Sequence, residues 1–247
     1  MNWLSLLCLA LLVACERPMP MYGSTEHNAL HGIINDGKTV NQITLFNDRN
    51  NFRPTLRFDP EITVYAGTLG WDAYKNPSKI RPGWANEIRI SLSFTADHKL
   101  VPDKKAAEEK TLGVIDIDFN ASLGESHEWS AMQKKYIDEI IAKSPIRNQK
   151  DNWGLHEYMV VDGKDVERYV YVPIDQNYNG GRDYPFSIHC DAAAQIEDKV
   201  HPLINCVADL VYQPDIAVTY KFVPKLLPYW REIYRELHVF FDHAVQR

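Results

Sequence analysis

Hydrophobic and polar residues alternate along much of this chain, and a period of two predicts half-buried β-strands. The clearest run is 88–94, where every second residue is apolar. Similar runs occupy 62–65, 114–119, 158–161, 168–172 and 216–222. The pattern therefore predicts a protein built mainly from strands that have one buried and one polar face.

Turn-forming residues lie between several of these runs. Asp, Asn, Gly and Pro favour tight turns because they tolerate or fix the backbone angles that a turn requires. Three such groups predict hairpin loops: Asn35-Asp36-Gly37, Asp162-Gly163 and Gln213-Pro214-Asp215.

Two segments change to a helical period. The first, near 126–143, has an apolar face and ends at Ser144-Pro145; its apolar residues are Trp129, Met132, Tyr136, Ile137, Ile140 and Ile141. The second, near 227–245, enters through Pro228 and carries the stripe Trp230, Ile233, Tyr234, Leu237, Phe240, Phe241 and Ala244. We interpret this C-terminal stripe as core that packs across a sheet; a partner-binding helix is the alternative.

The order of these elements predicts an α+β fold of antiparallel sheets joined by hairpins. Parallel βαβ units would need more helices than the two predicted. A hydrophobic fraction of 45% and a charged fraction of 24% are typical of a folded protein. We expect one globular domain over 27–247, with 145–152 as the boundary in case the domain has two lobes.

The N-terminus predicts export. Residues 4–14 are apolar and uncharged but too short to span a bilayer, which requires about 20 residues. Leu12-Val13-Ala14-Cys15 resembles the lipobox of bacterial lipoproteins. That resemblance implies a signal peptide over 1–14, a lipid-modified Cys15 and a tether over 15–26. A buried N-terminal helix, or an ordinary cleaved signal followed by an accidental cysteine, remains open, and residues 1–3 lack the usual Lys or Arg.

The lipoprotein hypothesis predicts a periplasmic protein anchored in the inner leaflet of the outer membrane, since Glu16 rather than Asp follows the cysteine. The net charge of −6 argues against nucleic acid as a partner, because nucleic acid binds basic surfaces. It also argues against electrostatic adhesion to anionic lipid. Membrane attachment is therefore expected through the lipid anchor only.

Two cysteines remain in the body of the chain, Cys190 and Cys206. In an oxidising compartment an even pair predicts a disulfide, which would stabilise the fold by about 3 kcal/mol. A metal site that includes His189 and His201 is the alternative. Zinc sites usually contain closely spaced cysteine pairs, and the chain has none.

No catalytic motif is present: the sequence lacks a G-x-S-x-G elbow, H-E-x-x-H, a P-loop, G-x-G-x-x-G and S-x-x-K. Triads assembled from distant residues leave no such motif, but nothing in the sequence assigns a catalytic residue. We therefore predict a protein that is not an enzyme and has no cofactor.

One segment has the ligand spacing of a calcium loop. Asp175, Asn177 and Asn179 alternate before Gly180, and Asp183 takes the ninth position, which suits a hard cation. Phe186 stands at the twelfth position, where such loops supply a bidentate Glu. The alternative is an Asn- and Gly-rich loop whose side chains bond their own backbone.

Aromatic and arginine residues collect between 69 and 84. Trp, Tyr and Arg are enriched in the binding hot spots of protein interfaces, so Trp71, Tyr74, Arg81 and Trp84 are candidates for binding a partner. A segment without periodicity is often functional. Alternatively, the two tryptophans fill the ends of the core.

The C-terminal block carries a family resemblance. It contains Cys190, Cys206, the run Tyr220-Lys221-Phe222 and the segment Leu227-Pro228-Tyr229-Trp230 before the last helix. This block, together with the lipobox, resembles lipoprotein immunity proteins of type VI secretion effectors. The resemblance implies a protein that binds and occludes a co-encoded antibacterial effector, a phospholipase or another envelope-degrading toxin. An envelope-assembly lipoprotein, or a ligand- or calcium-binding lipoprotein without a toxin partner, is the alternative.

Overall fold

The structure is a computed structural model that describes residues 20–21, 23–46, 53–67, 80–106, 110–121, 127–144, 146–150, 153–162, 165–175, 177–180, 186–192, 203–213 and 216–246. In chain order its elements are α1 (Thr25–Leu30), β1 (Asn41–Leu45), β2 (Thr55–Phe58), β3 (Val64–Gly67), β4 (Trp84–Ala85), β5 (Glu87–Thr95), β6 (Leu100–Pro102), α2 (Asp103–Ala106), β7 (Thr111–Asn120), α3 (His127–Lys143), β8 (Ile146–Lys150), β9 (Leu155–Asp162), β10 (Asp165–Pro173), β11 (Ile188–Ala192), β12 (Leu203–Gln213), β13 (Ile216–Phe222), a 3₁₀ helix (Pro224–Tyr229), α4 (Trp230–Ala244) and β14 (Val245–Gln246).

A large antiparallel sheet organises the molecule. Its strand order is β3-β5-β7-β13-β12-β11-β10-β9-β8, with β6 also paired to β5. Strands β8 to β13 follow one another as a meander, and β13 returns to pair with β7. The predicted α+β class with antiparallel sheets is confirmed.

A second, smaller sheet has the order β14-β2-β1-β4. Strand β4 runs parallel to β1, whereas the other pairs are antiparallel. Strand β14 places Val245 opposite Leu56, so the last residues of the chain join a sheet formed near its beginning. The small sheet therefore connects the two ends of the described chain.

The core lies between these sheets and α4. Along β5 the predicted alternation buries Ile88, Ile90, Leu92 and Phe94 on one face. Helix α4 contributes a fully buried stripe to the same cluster, consisting of Trp230, Ile233, Leu237 and Phe241. The interpretation of the C-terminal stripe as core is confirmed. The helix itself begins at Trp230, because Pro228 belongs to the preceding 3₁₀ helix.

Helix α3 packs on the opposite face of the large sheet. Ile137 and Ile140 are buried against Tyr158 of β9 and Val170 of β10. Two residues of the predicted apolar face stay exposed: Met132 is 58% exposed and Ile141 is 42% exposed. These side chains lie outside the contact because α3 rests on β9 and β10 along a stripe narrower than its apolar face.

Cys190 and Cys206 form a disulfide across 16 residues. They are directly paired on the adjacent strands β11 and β12, and both are buried in the core. The predicted disulfide is confirmed. A metal site built on these two sulfur atoms is excluded, because the disulfide leaves neither cysteine as a thiolate.

Two of the three predicted hairpins are confirmed: Asp162 pairs with Asp165, and Gln213 pairs with Ile216. The prediction for Asn35-Asp36-Gly37 is wrong, because this turn links α1 to β1 rather than two strands. The Asn35 side chain instead bonds the backbone of edge strand β3, donating to the Val64 carbonyl at 2.9 Å and accepting from its amide at 3.0 Å.

The predicted tether ends inside an ordered element. Thr25 and Glu26 belong to α1, whose first turn is capped by the Ser24 hydroxyl accepting from the His27 amide at 3.1 Å. Cys15 and the predicted signal peptide lie outside the described residues. No helix within the described ranges is long and apolar enough to cross a membrane.

Candidate functional site

Several described segments stop at the same end of the large sheet. Gly67 accepts from the Asn86 amide at 2.9 Å, and Asn86 accepts in turn from Ala121 at 3.1 Å. Across β13 and β12, Gly180 accepts from the Val211 amide at 2.7 Å. We call this end of the sheet, where the strand ends lie side by side, the loop end. It is defined by Gly67, Asn86, Ala121 and Gly180.

Two segments that the sequence singles out continue from here: the aromatic segment expected to bind a partner, and the candidate calcium loop, which is also a second candidate patch for partner binding. Segment 68–79, which contains Trp71 and Tyr74, follows Gly67. Segment 181–185, which contains Asp183, follows Gly180. These three side chains lie outside the described residues, so their roles remain predictions. The pairing Gly67–Glu87–Asn120–Ala217–Val211 nevertheless puts the origins of both segments at one end of the sheet.

Arg81 and Trp84 lie just beyond the first of these segments. Arg81 is exposed, and its carbonyl accepts from the Trp84 amide at 3.1 Å. Trp84 is partly buried in β4, with its ring edge-on to Phe46 at 5.9 Å between centroids. Trp84 therefore packs within the small sheet, while Arg81 is available to a partner.

Charged side chains line the sheet face opposite the core, beginning at the loop end. The alternation that buries the apolar residues of β5, β7, β12 and β13 turns these groups outward. The register aligns Arg89, Asp118, Thr219 and Asp209 in one row across four strands. We call this surface the charged face; its ionisable members are Glu87, Arg89, Asp116, Asp118, Asp209 and Lys221.

Asp118 is the centre of an ion-pair network on the charged face. Its carboxylate is buried and accepts from Arg89 through both Nε and Nη2, the latter at 3.2 Å. The Lys221 ammonium lies 3.5 Å from the same carboxylate, and Arg89 also contacts Glu87 at 3.3 Å. A buried carboxylate requires such compensation, since an unpaired buried charge is strongly unfavourable.

Burial also affects two other carboxyl groups of the charged face, Glu87 and Asp209. Burial raises the pKa of Glu87, and the nearby Asp118 raises it further against the opposing effect of Arg89. Burial likewise raises the pKa of Asp209, although the Thr219 hydroxyl donates to it at 2.5 Å. Asp116 is exposed and accepts from Ser91 at 2.6 Å. With four carboxylates and two cations, the face suits a positively charged partner.

His189 lies at the boundary between the charged face and the area under α3. Its Nε2 is 3.0 Å from the Ser187 hydroxyl, and Tyr136 of α3 stacks on its ring at 6.0 Å. Burial, assisted by the charge of Arg168, lowers the pKa of His189 to about 4. The Ser187–His189 pair was not predicted from the sequence. The one signal for it is the spacing of Ser and His by two, which places both on one strand face.

The calcium candidates are partly engaged with backbone groups. The Asp175 carboxylate accepts from the Asn177 amide at 2.9 Å, as expected of the alternative in which the loop bonds its own backbone. Asp175, Asn177 and Asn179 are all exposed. Within the described residues, no three His, Cys, Asp or Glu side chains are grouped as a metal centre. Calcium binding remains a prediction.

Comparison with known proteins gives little further information. No protein-family model matches the chain, and no curated protein matches its sequence. A solved structure, that of an immunity protein of the Stenotrophomonas maltophilia type IV secretion system, aligns with a TM-score of 0.44 and 14% identity over 84% of this chain and 95% of that chain. Similarity at this level assigns neither a function nor a partner.

Proposed function

We propose that the protein is an immunity protein that binds an antibacterial effector through the loop end and the adjoining charged face. The observation that supports this proposal is the common origin of both candidate binding segments at one end of the large sheet. A rigid sheet that presents several loops at one end is a common arrangement for recognition. Inhibition would follow from occlusion of the effector's active site, without turnover by this protein.

The compartment and the partner follow from sequence features. The lipobox-like Leu12–Cys15 segment supports anchoring in the periplasmic leaflet of the outer membrane, and the C-terminal resemblance supports a co-encoded type VI effector. Because an envelope-degrading toxin such as a phospholipase acts in the periplasm, its inhibitor must reside there as well. The Cys190–Cys206 disulfide suits an oxidising compartment.

The charged face predicts the chemistry of the effector surface. A protein with a net charge of −6 and exposed Asp116 would attract a basic partner. Such steering raises the association rate at low ionic strength and weakens as salt screens it. A stable complex would bury about 1,600 Å² in total, more than a single loop provides, so loops and face are expected to act together.

The decisive experiment is competition between a deletion strain and its toxin-delivering parent. We expect the deletion strain to be killed and to be rescued by the wild-type gene. Rescue by a Cys15→Ala variant should be reduced, since that variant would lose its membrane anchor. Survival of the deletion strain, with expression in the parent verified, contradicts the immunity proposal and favours the envelope-assembly alternative.

Charge reversal tests the binding surface. Asp116→Lys changes an exposed carboxylate on the charged face, and Asp138→Lys makes the same change on the exposed side of α3. We expect Asp116→Lys to slow association with the effector by about 3- to 10-fold at low salt, with a smaller effect at high salt. Equal effects of the two variants would show that net charge, rather than the charged face, steers binding.

A further inference from the structure

Two histidines are buried one turn apart in α1, near the first of the described residues. His27 and His31 lie at positions i and i+4 of α1 and its C-cap, 2% and 0% exposed. Their ring centroids are 5.2 Å apart and the ring planes are tilted by 47°. Histidine is less often fully buried than apolar residues, so two buried imidazoles on one short helix are uncommon.

Hydrogen bonding determines the tautomer of His31. Its Nδ1 lies 2.8 Å from the Trp84 carbonyl oxygen, which can only accept, so Nδ1 carries the proton. In the neutral ring Nε2 then has a free lone pair, and this buried atom has no hydrogen-bond partner. Histidines that bind metals are commonly held by a carbonyl in this way, which orients the ring and increases the basicity of the ligating nitrogen.

The separation of the two rings matches a shared metal ion. With metal–nitrogen bonds of about 2.05 Å and each ring centroid about 1.15 Å beyond its nitrogen, two tetrahedrally arranged imidazoles have centroids about 5.2 Å apart. The observed distance between the His27 and His31 centroids is 5.2 Å. The spacing of the two rings on α1 is therefore compatible with a shared ion.

A third donor lies on the same side of α1. The Asn28 side chain is 4% exposed, and its Oδ1 is also buried without a hydrogen-bond partner. At 3.6 residues per turn, His31 lies between His27 and Asn28 around the helix. Two imidazole nitrogens and an amide oxygen favour a transition metal over Ca²⁺ or Mg²⁺, which prefer sets of oxygen ligands.

We propose that His27 and His31, with Asn28 as an additional oxygen donor, bind a divalent transition-metal ion of the zinc class. Water would complete the coordination shell. The ion would fix α1 to β4, because the His31 carbonyl accepts from the Gly83 amide at 2.7 Å and the His31 ring bonds Trp84. It would thereby stiffen the segment that carries Arg81 and Trp84. This site is independent of the proposed function.

Metal titration of the full chain in detergent micelles tests the site. Addition of Co²⁺ should give the visible absorption of a tetrahedral complex, and Zn²⁺ should displace it with a stoichiometry of one. Even the loss of a residue that only hydrogen-bonds to a metal ligand lowers metal affinity about 10- to 100-fold. Because loss of a ligand should cost at least as much, His27→Gln and His31→Gln should each weaken binding at least tenfold. His243→Gln is the matched control, because His243 also bonds a backbone carbonyl through Nδ1, at 2.7 Å, but is exposed.

The outcomes distinguish a specific metal site from adventitious metal binding. Loss of Co²⁺ absorption in both α1 variants, with binding retained in His243→Gln, supports the proposal. No binding by the wild type, or equal binding by all variants, overturns it. Should the α1 variants fail to fold, imidazole NMR of the wild type decides: Zn²⁺ must shift the resonances of two buried histidines, and shifts confined to exposed histidines overturn the proposal.

Discussion

Leu237 offers a direct test of the role of α4. Its side chain is fully buried in the cluster shared by both sheets and the helix. Replacement by alanine removes three carbons from a cluster that also contains the ring pair Phe119–Phe241, with centroids 5.4 Å apart. Because packed rings cannot easily move into the space, little of the cavity is expected to collapse.

The magnitude follows from comparable substitutions. Fully buried Leu→Ala changes cost about 2.7–5.0 kcal/mol, with the larger values where the cavity persists. We expect about 3–4 kcal/mol for Leu237→Ala, which lowers Tm by roughly 6–16 °C in a protein of this size. Urea denaturation followed by circular dichroism should show a lower midpoint and an unchanged slope.

A control lies on the same helix. Val239 is 49% exposed, and Val239→Ala should change stability by less than about 0.5 kcal/mol. Comparable losses in the two variants would contradict the packing argument. A stable Leu237→Ala variant that has lost effector binding would show instead that α4 is an interface.

The other predictions concern redox state and pH. Mass spectrometry of the non-reduced protein should show a linked Cys190–Cys206 peptide pair, and reduction should cost about 3 kcal/mol of stability; two free thiols would contradict the structure. Burial lowers the pKa of His189 from 6.5 to about 4. Between these two pH values, His189 is therefore protonated in the unfolded state but neutral in the folded state. Stability should therefore fall as pH drops from 7 to 5, with about 2 kcal/mol of this loss due to His189. In His189→Gln that part of the loss should disappear, and an identical pH profile in both proteins would refute the assignment.

Local pattern was sufficient to predict most of the large sheet. Run 216–222 coincides with β13, and the apolar stripe of α4 is buried as predicted. These predictions succeed because a half-buried strand or helix must carry its apolar residues at the period of its own backbone. The same reasoning does not show which residues of an apolar face are buried: Met132 and Ile141 are exposed, because periodicity gives the direction of an apolar face but not the width of its contact.

Long-range pairing could not be predicted in this way. Strands β4 and β14 have two residues each, too few to show a period, and their partners are distant in sequence. The charged face depends on the same long-range register: Arg89 and Asp118 are 29 residues apart and meet only because β5 pairs with β7. The sequence showed that these positions are polar, whereas the alignment of the strands decides which charges meet.

Burial affects the carboxyl groups of the charged face unequally. Asp118 already has two cationic neighbours, but burial holds the pKa of Glu87 and of Asp209 above the usual range. In the free protein, burial therefore makes ionisation of these two groups less favourable than that of exposed carboxyl groups. A Lys or Arg supplied by an effector would stabilise those charges and lower both pKa values, so that complex formation would release protons. By linkage, such a complex binds more tightly as pH rises through the range in which these carboxyl groups ionise.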